Sequence, residues 1–339
     1  MMKIPMSLDP QSAASAAVAS RASIKPRTVF MYSGQGSQYY GMGRELYARN
    51  AAFRGAMDTC NVIYRDMVDR DMIAELYDDA NKWRDMTDIM LSHPALFSVG
   101  YSLTVAMHHA GVQPDCVVGY SLGEYAASVA AGTLSHADAM QAVIHQAQLF
   151  RHSALTGGML SVLAPIEHFD RHPDIYRDTV IASINFVGNF VISGESEALA
   201  AAAQRLHAEA CVTVRLPVEY PFHSPLLQPV EAAFSGLFDG VAITSPTIPQ
   251  YSSATGGQLS RIKAGHYWRV THDRVDFQKT IAAVAEAEGP CRFVDLGPTG
   301  TLSGFIKHGF GDRLEHVVSI NQYGRNIETL DNAVGKLAA

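Results

Sequence analysis

The five residues Gly119-Tyr120-Ser121-Leu122-Gly123 constrain the 339-residue chain more than any other stretch. They follow the short apolar run Cys116-Val117-Val118 and precede a segment of small and apolar residues that ends at Gly132, so they stand where a strand turns into a buried helix. A G-x-S-x-G motif in that setting makes a tight, strained turn that exposes the serine hydroxyl. Its glycines let strand and helix pack closely. The helix start behind Ser121 favours developing negative charge, and the Leu122 N–H can donate to an oxyanion. Such residues in such an order point to nucleophilic catalysis with Ser121 as the nucleophile. The plainer alternative is a glycine-flanked serine that caps a helix.

Strand and helix signals alternate on both sides of the motif. A strand over 28–32 runs into the glycine-rich turn 33–38, and helices are expected over 42–67, 91–109, 122–132 and 135–154, the last with Ser135 as N-cap. The middle of the chain changes character. Strand-like runs at 159–164, 180–186, 190–194 and 212–218 enclose helical stretches at 166–170 and 195–210. That order is a split βαβ, the ferredoxin-like arrangement. Alternation then resumes with a helix over 226–238, a strand over 249–252, a helix over 266–288 and a strand over 292–296. The expected fold is α/β: a large α/β-hydrolase-like domain with a mostly parallel sheet over 27–157 and 221–339. A small ferredoxin-like subdomain over 158–220 is inserted in it, and residues 1–26 form a poorly ordered tail. A true α/β-hydrolase would place several strands before the serine, whereas here one clear strand precedes it.

Composition narrows the class of function. Net charge is −7 and Lys and Arg form no stripe, which argues against a nucleic-acid partner. The four cysteines, Cys60, Cys116, Cys211 and Cys291, make no CxxC pair, so no metal is expected and no cofactor is called for. No continuous apolar run approaches the roughly 18 residues of a membrane span. The Ala/Ser-rich N-terminus is interrupted by Asp9 and Gln11 where a signal peptide needs an apolar core, so the expected location is the cytoplasm.

Four blocks together resemble the malonyl-CoA:acyl carrier protein transacylase-like acyltransferase family of fatty-acid and polyketide synthesis. They are Ser33-Gly34-Gln35-Gly36-Ser37-Gln38, Gly119-Tyr120-Ser121-Leu122-Gly123-Glu124-Tyr125, Pro221-Phe222-His223-Ser224 and Asp295-Leu296-Gly297-Pro298. The resemblance implies that Ser121 attacks a thioester and that His223 is its base. It implies that Gln35 and Leu122 form the oxyanion hole through their backbone N–H groups, and that a backbone carbonyl, expected to be that of Val270, orients the histidine in place of an acid. Asn185 falls where the family has a polar residue near the histidine. The implied partner is an acyl carrier protein bearing a phosphopantetheine thioester, with acyl-CoA as a second possible donor.

The chain also departs from that family. Members that load malonyl groups carry an arginine that pairs with the substrate carboxylate, and alignment of the helix starting near Ser135 puts Gln146 at that position. Arg151 lies about 140° away around the same helix and does not substitute. Tyr120 stands where a histidine usually precedes the serine, and His93 where a glutamine is usual; with Phe222 they are candidates for the acyl pocket. Loss of the carboxylate clamp resembles the acyl-hydrolase branch found with trans-acting polyketide acyltransferases. Hydrolysis of stalled, non-carboxylated acyl groups from the carrier protein is therefore the expected activity. A trans-acting transacylase and a non-catalytic carrier-protein docking module are the alternatives.

Overall fold

The computed structural model describes residues 25–338, so all but Lys25 and Pro26 of the expected N-terminal tail lies outside the described residues. Eleven strands occur among them: β1 Arg27–Tyr32, β2 Cys116–Gly119, β3 Gly158–Leu163, β4 Thr179–Phe186, β5 Asn189–Gly194, β6 Val212–Arg215, β7 Gln250–Ser252, β8 Gly257–Gln258, β9 Val275–Asp276, β10 Cys291–Asp295 and β11 Glu315–Val318. They form two sheets. The first has the order β11-β10-β1-β2-β7-β8 and is parallel except for the β7–β8 pair. Phe30 of β1 sits in register with Val117 of β2 on one side and Val294 of β10 on the other. These central strands are buried on both faces, which is why they read as near-continuous apolar runs rather than as an alternation.

The helix Ile89–His109 covers one face of this sheet and is buried almost throughout. By length and composition it could cross a membrane, at a mean hydropathy of 1.3, although the sequence shows no unbroken apolar run there. Interspersed Ser, Thr, His and Gly interrupt the run without adding charge. Inside this protein the helix is a core element, with 89% of its most apolar window buried.

The second sheet has the order β6-β3-β5-β4-β9. Within residues 158–215 the connectivity is strand, helix, strand, strand, helix, strand, with helices Glu167–Arg171 and Ser196–Ala208. Neighbours among these four strands are antiparallel. The fifth strand, β9, comes from much later in the chain and pairs parallel to β4 through Ser183↔Val275 and Ile184↔Asp276.

That strand lies inside the single helix expected over 266–288. The structure has two helices there, Ala264–His272 and Phe277–Glu288. Asp276 causes the restart, because its side chain accepts from Lys279 N and caps the second helix. The helix expected over 42–67 is likewise two, Arg44–Arg49 and Ala51–Val68, divided at Asn50, whose side chain accepts from Phe53 N. Ser135 caps His136–His152 as expected, accepting from Asp138 N. The turn 33–38 and Ser121 lie at the carboxyl ends of the adjacent strands β1 and β2, where open α/β sheets bind their ligands.

Candidate active site

Ser121 has φ 51°, in the left-handed region that non-glycine residues rarely occupy. The flanking glycines make this turn possible. A Cβ on Gly119 would lie 2.6 Å from Glu124 Cα, and one on Gly123 would lie 2.0 Å from the Tyr32 carbonyl oxygen. Any larger residue at either place would push the helix Gly123–Ala130 off the sheet. The fully buried Glu124 anchors the first turn of that helix, accepting from the Ser252 hydroxyl and lying 3.1 Å from His266 Nε2. The Ser121 N–H donates to Ser253 Oγ at 3.4 Å.

His223 faces the serine, with Nε2 2.8 Å from Ser121 Oγ. Its Nδ1 lies 2.9 Å from the carbonyl oxygen of Asp273, and its backbone N–H donates to Thr271 O at 3.0 Å. A carbonyl can only accept, so Nδ1 carries the proton and Nε2 is left with a lone pair toward the serine hydroxyl. The orienting carbonyl is thus that of Asp273 and not of Val270. The reason lies in helix geometry: Val270 is inside Ala264–His272, where carbonyls point along the axis, whereas Asp273 is the extended C-cap, whose carbonyl is free to aim sideways. The Asp273 carboxylate is itself held by Arg269 Nε and His272 Nδ1, each at 2.9 Å. Burial lowers the pKa of His223 to about 4, with Asp273 pulling weakly the other way and His272 adding to the drop. The imidazole is neutral at ordinary pH and can accept a proton.

The turn after β1 is tied down by its own side chains. Ser37 Oγ donates to Gly34 O at 2.8 Å, and Gln38 Oε1 accepts from Gly36 N at 2.7 Å. Gln38 Nε2 reaches Met86 O and Pro217 O, at 3.2 and 3.0 Å. Gln35 and Leu122 line the same cavity as Ser121, and among the described residues neither backbone N–H is paired with a protein acceptor. The Asp295-Leu296-Gly297-Pro298 block serves a different purpose. The buried Asp295 carboxylate accepts from Gly297 N and Ser303 N, both at 2.8 Å, and ties β10 to the helix Thr301–Phe310.

The cavity beside Ser121 is small, about 30 Å³. The sequence-predicted residues Gln35, His93, Tyr120, Leu122, Gln146, Phe222 and His223 all line it. Gln146 is buried on the helix His136–His152, and its Oε1 accepts from Tyr125 OH at 2.7 Å. Arg151 sits half-exposed on that helix and pairs with Asp88 at 3.6 Å, outside the cavity. Among the described residues, no lysine or arginine lines the cavity. His93 carries no charge either, since complete burial lowers its pKa to about 3. Its Nδ1 and the Gln35 Oε1 are buried without hydrogen-bond partners among the described residues. The Phe222 ring packs 5.7 Å from His93 and 4.9 Å from Phe150, centroid to centroid.

Asn185 does not join this group. It lines an adjacent cavity of about 230 Å³ that shares Gln35, Tyr120, Val191 and Leu216 with the first. Its Oδ1 accepts from Tyr120 OH at 2.8 Å, so the long Tyr120 phenol, not His223, is its partner. Met159, Val191, Leu216, Thr271 and Asp273 complete the site and were not singled out from the sequence. The apolar ones carry no local signal, because in strands and loops they look like any other core residue.

A serine hydroxyl bonded to a neutral imidazole, beside two free backbone donors, has the parts needed for acyl transfer. The family described as acyl transferase domain matches residues 29–338. The chain belongs to that family. This acyl transferase is 34% identical over 309 residues to the polyketide biosynthesis acyltransferase homolog PksD of Bacillus subtilis, covering 89% of this chain and 95% of the relative. It is 35% identical over 296 residues to the homolog BaeD of Bacillus velezensis, covering 86% and 91%. Its fold is similar to that of a loading acyltransferase from the avermectin modular polyketide synthase, with a TM-score of 0.85 at 28% identity over 92% of this chain and all of the other. The acyl transferase is thus an enzyme acting on acyl groups.

Proposed function

We propose that this acyl transferase hydrolyses short, uncharged acyl groups from the phosphopantetheine thioester of an acyl carrier protein in polyketide biosynthesis, through an acyl-Ser121 intermediate. The observation that carries the acyl preference is the neutral cavity: Gln146 and an uncharged His93 line it, and among the described residues no arginine or lysine does. A malonyl carboxylate held there would lose its hydration without gaining a counter-charge, at a cost of several kcal/mol. The small cavity beside Ser121 favours a short acyl group over a long one.

In this reading Ser121 Oγ attacks the thioester carbonyl while His223 Nε2 takes its proton. The developing oxyanion faces the N–H groups of Gln35 and Leu122. The imidazolium, held through Nδ1–H by the Asp273 carbonyl, then protonates the departing pantetheine sulfur. Water attacks the acyl-serine while His223 takes its proton; the acyl–Oγ bond then breaks, the imidazolium returns the proton to Ser121 Oγ, and the carboxylic acid is released. The pantetheine arm would enter along the larger neighbouring cavity, which joins the smaller one at Gln35 and Tyr120. Acyl-CoA would enter the same way.

Transfer to a second carrier thiol shares every step up to the acyl-enzyme, and the names of PksD and BaeD favour keeping it as the alternative. One experiment separates the two. Acetyl- and malonyl-loaded carrier protein are each mixed with enzyme and an excess of free carrier protein in ¹⁸O-water. Hydrolysis yields labelled acetate, no acylated second carrier, slower loss of malonyl, and no reaction with Ser121→Ala. Malonyl moved intact to the second carrier would establish a transacylase. Wild-type enzyme that never gains an acyl mass would leave only a docking role.

A further inference from the structure

We infer that Ser253 is a positioning residue for the acyl-transfer step: a clasp that holds the nucleophile turn and the segment bearing the orienting carbonyl in one frame. The inference rests on the reading of Ser121 as nucleophile and His223 as its base. Ser253 is the first residue after β7, is fully buried, and lines neither cavity of the site. Its N–H donates to Gly119 O at 3.2 Å, its Oγ accepts from Ser121 N at 3.4 Å, and its carbonyl accepts from Asp276 N at 2.8 Å. The first two contacts fall on the nucleophile turn, on either side of Tyr120. The third falls on β9, just downstream of Thr271 and Asp273. Those two residues hold the base: the Thr271 carbonyl accepts from His223 N, and the Asp273 carbonyl from Nδ1. Turn and base holder are far apart in the chain, and Ser253 is bonded to both.

The side chain of Ser253 acts on the strained residue itself. Ser121 has φ 51°, and a non-glycine residue stays in that region only where its surroundings over-determine it. Among the described residues Ser253 Oγ is the one acceptor for the Ser121 N–H. Without it a buried donor beside the reacting hydroxyl is unpaired, and only rotation of the turn can satisfy it. Rotation would carry Ser121 Oγ off its 2.8 Å approach to His223 Nε2. A misplacement of about 1 Å can slow a reaction by about 100-fold. The contact is long, so its loss should shift the hydroxyl by less and slow the step by about tenfold. The same contact turns the Ser121 N–H away from the cavity and leaves the oxyanion to Gln35 and Leu122. The neighbouring Ser252 secures the frame from the other side, since its hydroxyl donates to the buried Glu124 in the first turn of the helix behind Ser121.

The test treats the full chain, as wild type, Ser253→Ala and Ser253→Cys, with a fluorophosphonate. This reagent phosphonylates an activated serine with loss of fluoride, and intact mass follows the labelling. Cysteine nearly keeps the volume of serine but is a weak acceptor, so it separates the hydrogen bond from packing. Both variants should label about tenfold more slowly at saturating reagent, with the half-saturating concentration unchanged. On acetyl-loaded carrier protein kcat should fall by the same factor while KM holds. Circular dichroism restricts the comparison to folded protein, and if Ser253→Ala does not fold, Ser253→Cys alone decides. A wild-type labelling rate in folded Ser253→Cys overturns the clasp, and so does a loss confined to the half-saturating concentration. Ser121→Ala separates this inference from the reading beneath it. Labelling that survives that change overturns the nucleophile assignment, whatever the Ser253 variants do.

Discussion

The two ends of the cavity beside Ser121 are constructed differently. At the reactive end, function depends on backbone. Ser121 and His223 both have φ in the left-handed region, at 51° and 59°, the two candidate oxyanion donors are main-chain N–H groups, and the histidine is oriented by a main-chain carbonyl. At the proposed acyl end it depends on side chains carried by long helices, with Gln146 on His136–His152 and His93 on Ile89–His109. A backbone device cannot change without refolding the turn that makes it, whereas a side chain on a helix can be exchanged alone. Chemistry should therefore be brittle at one end of this site and acyl preference adjustable at the other.

The largest expected effect tests the reactive end. His223→Ala should lower turnover by on the order of 10³-fold, because Ser121 loses its base. His223 is only 5% exposed, so the rate belongs to the folded fraction measured alongside by circular dichroism. Turnover near wild type in a folded variant would move the base elsewhere, with His93 the next candidate in the cavity.

The adjustable end calls for an exchange rather than a deletion. Gln146→Arg should swing the ratio of kcat/KM for malonyl over acetyl carrier protein upward by about thirtyfold, or roughly 2 kcal/mol. The guanidinium would pair with the malonyl carboxylate and stand unpaired beside acetyl. Four rates, two enzymes against two substrates, decide it. Equal ratios would mean that Gln146, held by Tyr125, does not meet the acyl group.

The smallest effect concerns the environment of the base. With its pKa lowered from 6.5 to about 4 by burial, His223 stays neutral as the pH falls from 7 to 5.5, so kcat/KM should fall less than twofold. An ordinary histidine would lose about tenfold over that interval. The same shift makes the unfolded chain the better proton binder below pH 6.5, so His223 contributes a loss of stability as the pH drops from 6.5 toward 4. An acid limb near 6.5 would show that the imidazole is solvated during turnover.

Much of this site was legible in the chain. The elbow is readable because a strand, two glycines and a helix within eight residues leave a serine few other conformations. Gln146 is readable because one helix with a clear N-cap keeps its register from Ser135 onward. Val270 fails as the orienting residue because helical periodicity carried the expected helix across 273–276, where the chain leaves it, forms β9 and starts another. Asn185 fails for a different reason. Which neighbour a buried amide meets depends on the side chain facing it across the two sheets, and here that is Tyr120.

By itself the sequence determined the local devices: the nucleophile turn, the helix cap at Ser135, and the absence of a positive charge at residue 146. Each depends on residues within a few positions of one another, so steric and hydrogen-bonding rules act without knowledge of the rest of the chain. Only the tertiary structure decided that His223 meets Ser121 across 102 residues and that the Asp273 carbonyl holds it. These meetings are set by how two sheets and their helices pack, and packing is a property of the whole buried core. No short stretch of sequence contains it.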